Sequence, residues 1–448
     1  MEIIPLLLII FVCSSLLAGY PVAFTLAGVS IIFALICSLF GVFDLNLFKN
    51  LPIRIFGIMN NQTLLAVPLF VFMGVVLEKS GIAAKMLQDM AKVFAGIKGG
   101  LGISIVIVGA LLAASTGIVG ATVVTMGLMS LPALLKEGYD KKFSSGLVAA
   151  TGTLGQIIPP SIALVLLGDV MSTAYASAQN MIAAETGDFS PMKAVSVGDL
   201  FVGALLPGLI ICILFLIYTI FWNRNLHKSY VNVTKVSLLN LLNTLLPPIL
   251  LIFMVLGSII FGIATPTEAA GVGAIGSILI CLYYKKFNIE LLKEASRRTA
   301  LVTTMVFTIL IGASIFSLIF RGVGGDELIS LVFEMLPGGK YSALFFVMMM
   351  IFLLGFILDF IEICYVFVPL IAPPLLMMGF DPVWLGIMLA INLQTSFLTP
   401  PFGFSLFYLR GVADKSIRTI EIYKGVIPFI LIQLLVLLLV VVFPSLVL

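Results

Sequence analysis

The sequence is short of charge: Asp, Glu, Lys and Arg together make up 10% of its 448 residues, against 61% hydrophobic residues. That balance, with a mean hydropathy of +1.24, excludes a soluble globular domain and demands many spans of roughly 20 apolar residues. There is one histidine, His227, and it lies in the basic loop 223–228. A lone loop histidine reads as solvated, and its isolation removes most metal and His-base chemistries. The five cysteines (Cys13, Cys37, Cys212, Cys281, Cys364) stand singly in apolar runs, without the paired spacing of a metal site or a disulfide framework, and read as small core residues. No GxxxxGK[ST] loop and no HExxH motif occurs. The net charge of +3 rests on basic residues in short loops, which the positive-inside effect explains, so nucleic acid is not expected as a partner.

What is present reads as an all-α polytopic membrane protein, one membrane domain over 1–448. The N-terminal 19 residues imitate a signal peptide, but Glu2 stands where a basic start would be, so they read as a retained first span. Residues 1–60 supply N-terminal scaffold helices, 198–284 central scaffold helices and 422–448 a final span. Between them lie two similar stretches. The first, 61–197, holds an amphipathic arm helix (82–98, with Met86, Met90, Val93 and Phe94 on one side and Lys85, Asp89 and Lys92 facing away), a hairpin 99–135 broken near Ser115-Thr116-Gly117, and a broken helix 144–170. The second, 285–421, holds a basic arm 285–298, a span 299–320, a hairpin 341–378 broken near Asp359, and a broken helix 383–411. Hairpin tip and proline pair are 43 positions apart in the first stretch (116 to 159) and 41 in the second (359 to 400), the mark of an internal repeat. By the charge rule, 136–142 is cytoplasmic and the polar stretch 172–196 is outside, so the hairpins enter from opposite sides and the repeats are inverted.

The chain is organised around the segment from Gly152 to Ser161, which interrupts an apolar helix with Gly152, Gly155, Pro159 and Pro160. Its counterpart runs from Ser396 through Thr399, Pro400 and Pro401 to Gly403. Proline removes a backbone donor, and unpaired backbone is tolerated at membrane depth only inside protein or beside a polar cavity. Half-helix ends offer N–H groups to anions and carbonyls to small hard cations. Thr151, Thr153, Gln156, Ser161, Thr395, Ser396 and Thr399 add oxygens. Two readings compete: two sodium sites, each between a hairpin tip and a broken helix, or hydroxyls that only satisfy freed backbone; the paired, inverted breaks favour the first. Asp359 is a carboxylate at membrane depth and a candidate for ion coordination or for fixing the tip. Glu362 is either functional or a partner of Arg321, Glu268 either functional or a helix cap, and Asn392 a candidate for holding the unwound backbone.

Four motifs then carry a resemblance: 65–74 (LAVPLFVFMG), 152–161 (GTLGQIIPPS), 264–270 (ATPTEAA), and Asn392 through 398–403 (LTPPFG). With these in order, nearly the whole chain resembles the large membrane (M) subunit of tripartite ATP-independent periplasmic (TRAP) transporters. The resemblance implies sodium-coupled import of a small carboxylate-type solute by an elevator motion, in the bacterial cytoplasmic (inner) membrane. It implies a small four-helix membrane (Q) subunit and a periplasmic substrate-binding (P) subunit as partners, and no cofactor beyond sodium as coupling ion. On this chain it places sodium at Ser115, Thr116 and Gly152, and at Asp359, Asn392 and Thr399. The tip Thr116-Gly117, Asp359-Phe360 and the long polar insert depart from the family pattern and point to a subgroup whose solute need not be a C4-dicarboxylate or a sialic acid. The rivals are an ATP-driven permease borrowing its ATPase, and an intramembrane enzyme, for which the sequence offers neither nucleophile nor metal constellation.

Overall fold

The structure, a computed structural model, describes residues 3–117, 119–187, 194–224 and 238–447, with side chains left out at 115, 116, 185 and 238–241. His227 and the loop acid and base Asp188 and Lys193 lie outside the described residues. In chain order the helices are α1 (Ile3–Leu17), α2 (Val22–Leu39), α3 (Leu51–Met59), α4 (Ala66–Lys79), α5 (Ile82–Val93), α6 (Gly100–Thr116) and α7 (Val119–Lys136). Then come α8 (Lys141–Thr153), α9 (Ile162–Thr186), α10 (Val197–Trp222), α11 (Leu238–Ile260), α12 (Pro266–Tyr283) and α13 (Ile289–Gly322). The last seven are α14 (Gly325–Met335), α15 (Gly339–Leu354), α16 (Phe360–Val366), α17 (Val368–Met377), α18 (Pro382–Leu398), α19 (Phe404–Val412) and α20 (Thr419–Val442). Among the described residues there is no strand, and eight helices are long and apolar enough to cross a membrane, or up to eleven if each bent pair is one span.

The backbone contacts divide into two compact units, each built from three separate stretches of chain. One unit holds 1–64, 166–196 and 301–382. In it α1 packs on α2 and α14, and α17 packs on α14 and α15. A 120° bend separates α14 from α15, and a 55° bend divides α16 from α17. The other unit holds 65–165, 197–300 and 383–448. There α4 lies along α12, while α8 is enclosed by α6, α7, α19 and α20. The closest crossing in this unit is α8 on α20: a Cβ on Gly146 would meet the Gly425 carbonyl oxygen at 2.0 Å, and one on Gly425 the Lys142 carbonyl oxygen at 2.0 Å. Only glycine lets two helix backbones touch in this way.

Several expectations are corrected. The polar stretch after Ser172 is helical as far as Thr186, because its Ala, Met and Gln residues favour helix and Thr173 and Thr186 return their hydroxyls to the carbonyls of Asp169 and Ile182 at 3.1 and 2.8 Å. The basic arm 285–298 and the span after it form one helix of 34 residues, α13, about 51 Å long at ~1.5 Å per residue. No Pro or Gly interrupts it before Gly312, and Arg298 closes on Glu294 at 2.9 Å one turn away. A helix that the sequence reading omitted, α14, follows Arg321, and that arginine approaches Asp326 at 3.6 Å rather than pairing with Glu362. On the first arm, α5, Lys85 and Lys92 are exposed, as their spacing predicts, but Asp89 is drawn in: it accepts a hydrogen bond from Thr244 at 2.9 Å, and Lys85 lies over the Tyr284 ring at 5.2 Å. Val93, placed on the apolar side by its spacing, is exposed.

Candidate functional site

Four Pro-Pro pairs occur in the chain, and the fold treats them in two ways. Pro247-Pro248 and Pro373-Pro374 remain inside α11 and α17. Pro159-Pro160 and Pro400-Pro401 are cis and separate helices, α8 from α9 and α18 from α19. Each proline lacks the N–H that would pair with the carbonyl four residues earlier. In α11 those carbonyls are Asn243 and Thr244, and the Tyr284 hydroxyl donates to Asn243 and lies 3.4 Å from Thr244. At the first break they are Gly155 and Gln156, and Ser161 Oγ donates to Gly155 O at 2.6 Å and lies 3.4 Å from Gln156 O. At the second they are Ser396 and Phe397: the Thr399 N–H donates to Ser396 O at 3.0 Å, and Ser405 Oγ donates to Phe397 O at 2.9 Å. Ser405 thus does at the second break what Ser161 does at the first, and the sequence reading missed it.

The other hydroxyls also lean on the backbone. Thr151 donates to Leu147 O at 2.8 Å, Thr153 to Ala150 O at 2.8 Å, Thr395 to Ile391 O at 2.8 Å and Thr399 to Thr395 O at 2.7 Å. A hydroxyl that gives its proton to a carbonyl keeps its lone pairs, so each of these oxygens can still accept a hydrogen bond or coordinate a cation. Thr153 does accept: Gln394 Nε2 reaches its Oγ1 at 3.4 Å and Gln433 Nε2 at 3.2 Å. This buried contact ties α8, α18 and α20 together beside both breaks. Neither glutamine was singled out in the sequence, although a lone amide in the apolar run of α20 is a signal of its own.

The first hairpin tip meets the first break. Gly117 closes α6 at φ +59°, where a Cβ would stand 2.7 Å from the Ile162 N, and a Cβ on Gly155 would stand 3.1 Å from the Ala113 O. The side chains of Ser115 and Thr116 lie outside the described residues. Gly152 and Pro159 are buried at the break. Gln156 is 1% exposed, and neither of its amide atoms has a hydrogen-bond partner among the described residues. Asn392 and Ser396 are buried on α18, each with a partner. Pro400 is half-buried.

Asp359 belongs to the other unit, where it is the half-buried residue before α16 and its N–H donates to Glu362 Oε2 at 3.0 Å. Glu362 therefore holds the start of α16. Glu268 has the same task at α12, accepting from the Thr265 N–H at 2.8 Å in a capping box. No group of three or more His, Cys, Asp or Glu residues that could hold a metal ion occurs among the described residues.

Comparison with known proteins matches residues 7–446 to the model of the family described as "Tripartite ATP-independent periplasmic transporter, DctM component". The chain is 30% identical over 400 residues to the C4-dicarboxylate TRAP transporter large permease protein DctM of Rhodobacter capsulatus, covering 88% of each chain. It is 28% identical over 442 residues to the sialic acid TRAP transporter large permease protein SiaM of Vibrio cholerae, covering 96% of this chain and 94% of that one. In fold it resembles the YdaH transporter of Alcanivorax borkumensis, described as having an unusual topology, with a TM-score of 0.61, 13% identity and coverage of 89% and 88% of the two chains. The family's ATP-independence sets aside the ATP-driven permease, and its members are transporters rather than enzymes. The chain, a multi-pass membrane protein, belongs to the DctM component family of tripartite ATP-independent periplasmic transporters, the large permease subunits.

Proposed function

We propose that this permease imports a small carboxylate-bearing solute by sodium symport, receiving it from a periplasmic binding protein and working with a small four-helix membrane subunit. The observation that carries this reading is Gln156: a fully buried amide with no partner among the described residues, at a helix break where three hydroxyls have turned their protons inward. An orphaned buried amide is costly unless something else meets it. The oxygen-rich, acid-free surroundings of the break suit a sodium ion in contact with Gly152 and Thr151, and the tip residues Ser115, Thr116 and Gly117 complete that site. Asn392, Thr395, Ser396 and Thr399 are assigned to a second site at the second break, and Asp359, at the start of α16, is assigned by itself to ion contact or to fixing its own tip. The relatives named for C4-dicarboxylates and for sialic acid both handle carboxylates, which supports the solute class. An elevator motion, carrying the site across the membrane on one packed body, is the transport mode in this reading.

The test is uptake into proteoliposomes holding the permease with its small subunit and supplied with the loaded binding protein. Accumulation is expected to follow an inward sodium gradient and to stop when choline replaces sodium outside. Uptake indifferent to sodium would overturn the coupling, and an ATP requirement would overturn the whole reading.

A further inference from the structure

Apart from the breaks, the unit formed by 1–64, 166–196 and 301–382 contains a cavity of about 300 Å³ whose lining includes Arg54, Asn61, Asp169, Ser314, Ser317 and Tyr365. Its volume lies at the lower end of what small-molecule sites enclose. It carries charge of both signs. Arg54 is a half-buried guanidinium with no carboxylate partner among the described residues, and Arg321 stands close enough for the two positive charges to be felt by one another. Asp169 is an acid within a membrane-crossing helix, where carboxylates are costly and mark functional positions. Its Oδ1 accepts from Asn61 Nδ2 at 2.8 Å, and the Tyr365 hydroxyl stands beside it. Arg54 and Asp169 share the cavity without pairing to each other. A cavity lined by one unpaired charge of each sign and by hydroxyl-bearing side chains is complementary to a molecule with an anionic end and a hydrogen-bond donor at a distance from it. Leaving a half-buried arginine without a counter-charge costs free energy that a bound anion would return.

We propose that this cavity binds the transported solute, and that the solute is a small organic anion also bearing a hydroxyl or ammonium donor: the anion to Arg54, the donor to Asp169. The inference rests on the import reading above but not on its sodium coupling. It narrows the solute from any carboxylate to hydroxy acids and zwitterions. Ser314, Ser317 and Thr173 add hydroxyl-bearing side chains to the lining and favour a polar over an alkyl middle.

The test is binding to the purified full chain in detergent, by titration calorimetry, of four probes: succinate, L-malate, L-aspartate and N-acetylneuraminate. At least one of the three donor-bearing anions is expected to bind about tenfold or more tighter than succinate, the worth of one charge-assisted hydrogen bond. Arg54→Met should weaken that binding about 30-fold or more, and Asp169→Asn should erase the preference over succinate. Ser317→Leu, which fills the cavity without touching its charges, should weaken binding as strongly and guards against a misfolded arginine variant. Failure of wild type to bind any of the four, or wild-type binding by both Arg54→Met and Ser317→Leu, overturns the proposal. The two readings fail separately. Sodium-driven uptake that survives Arg54→Met sinks the cavity alone, and Arg54-dependent binding in a protein whose uptake ignores sodium sinks the coupling alone.

Discussion

The two cis-proline breaks are built alike and furnished differently. In each, a serine just beyond the prolines caps a carbonyl that proline has freed: Ser161 on Gly155 and Ser405 on Phe397. The first break is buried almost throughout, whereas the second opens at Pro401 and at Phe402, which is 67% exposed. The first also holds Gln156, with neither amide atom satisfied, while Asn392 near the second has a partner. The difference teaches that interrupting a helix and leaving a buried polar side chain unmet are separable. Backbone repair is common to both breaks, and even to the uninterrupted α11 through Tyr284, but among the described residues the amide with neither atom met, Gln156, is at the closed break.

That contrast can be broken or sharpened. The largest effect is expected from Gln156→Leu, which should lower sodium-driven uptake about 100-fold by removing an ion contact worth roughly 3 kcal/mol. Because an apolar side chain replaces an unsatisfied buried amide, the melting temperature should stay level or rise. Wild-type uptake by a well-folded Gln156→Leu protein would remove the ion contact from the first break. Next comes Thr153→Val, which deprives Gln394 and Gln433 of their shared acceptor and should cost about 2–3 kcal/mol, read as a lowered melting temperature that Thr153→Ser restores. Ser161→Ala and Ser405→Ala should each cost about 1 kcal/mol, and similar losses in thermal melting would establish the two serines as equivalents. A loss at only one of them would end the symmetry. Phe402→Ala should change stability by less than about 0.5 kcal/mol. Cysteine placed at 402 should react with maleimide about tenfold or more faster than cysteine at Ile157, which is 0% exposed, and equal rates would contradict the open-and-closed distinction.

The breaks and the first hairpin tip were legible in the sequence because proline and glycine act locally: whatever the rest of the chain does, Pro159 cannot donate and Gly117 can take a positive φ. Proline alone was not sufficient, since Pro247-Pro248 stay helical once Tyr284 meets the freed carbonyls. That remedy comes from 40 and 41 positions beyond the freed carbonyls, and no local pattern announces it. The helical Ser172–Thr186 stretch was hidden by its polarity, and the continuous α13 by a change of composition at Arg298 that reads like a boundary but breaks no backbone hydrogen bond. A partnership of Arg321 with Glu362, one of two readings the sequence offers, rests only on both being ionisable. The nearer acid, Asp326, lay on a helix whose apolar pattern had not been recognised. Asp169 carried a readable signal, a carboxylate inside an apolar run, that went unused beside the more conspicuous Asp359.

The glycine-to-glycine crossing of α8 on α20 has a consequence for biogenesis. Residue 153, at the end of α8, is 280 positions before Gln433, whose amide it receives, and the Gly146–Gly425 notch is separated almost as widely. At ~5–20 residues per second, roughly 15–55 s pass between synthesis of the first broken helix and that of the helix which closes over it. Until then the Thr153 hydroxyl and the bare backbone at Gly146 wait in the nascent chain without their last partners. The final span is in effect the closing stitch: a ribosome that stops a few dozen residues early leaves a protein with most of its helices present and its most buried break unsealed.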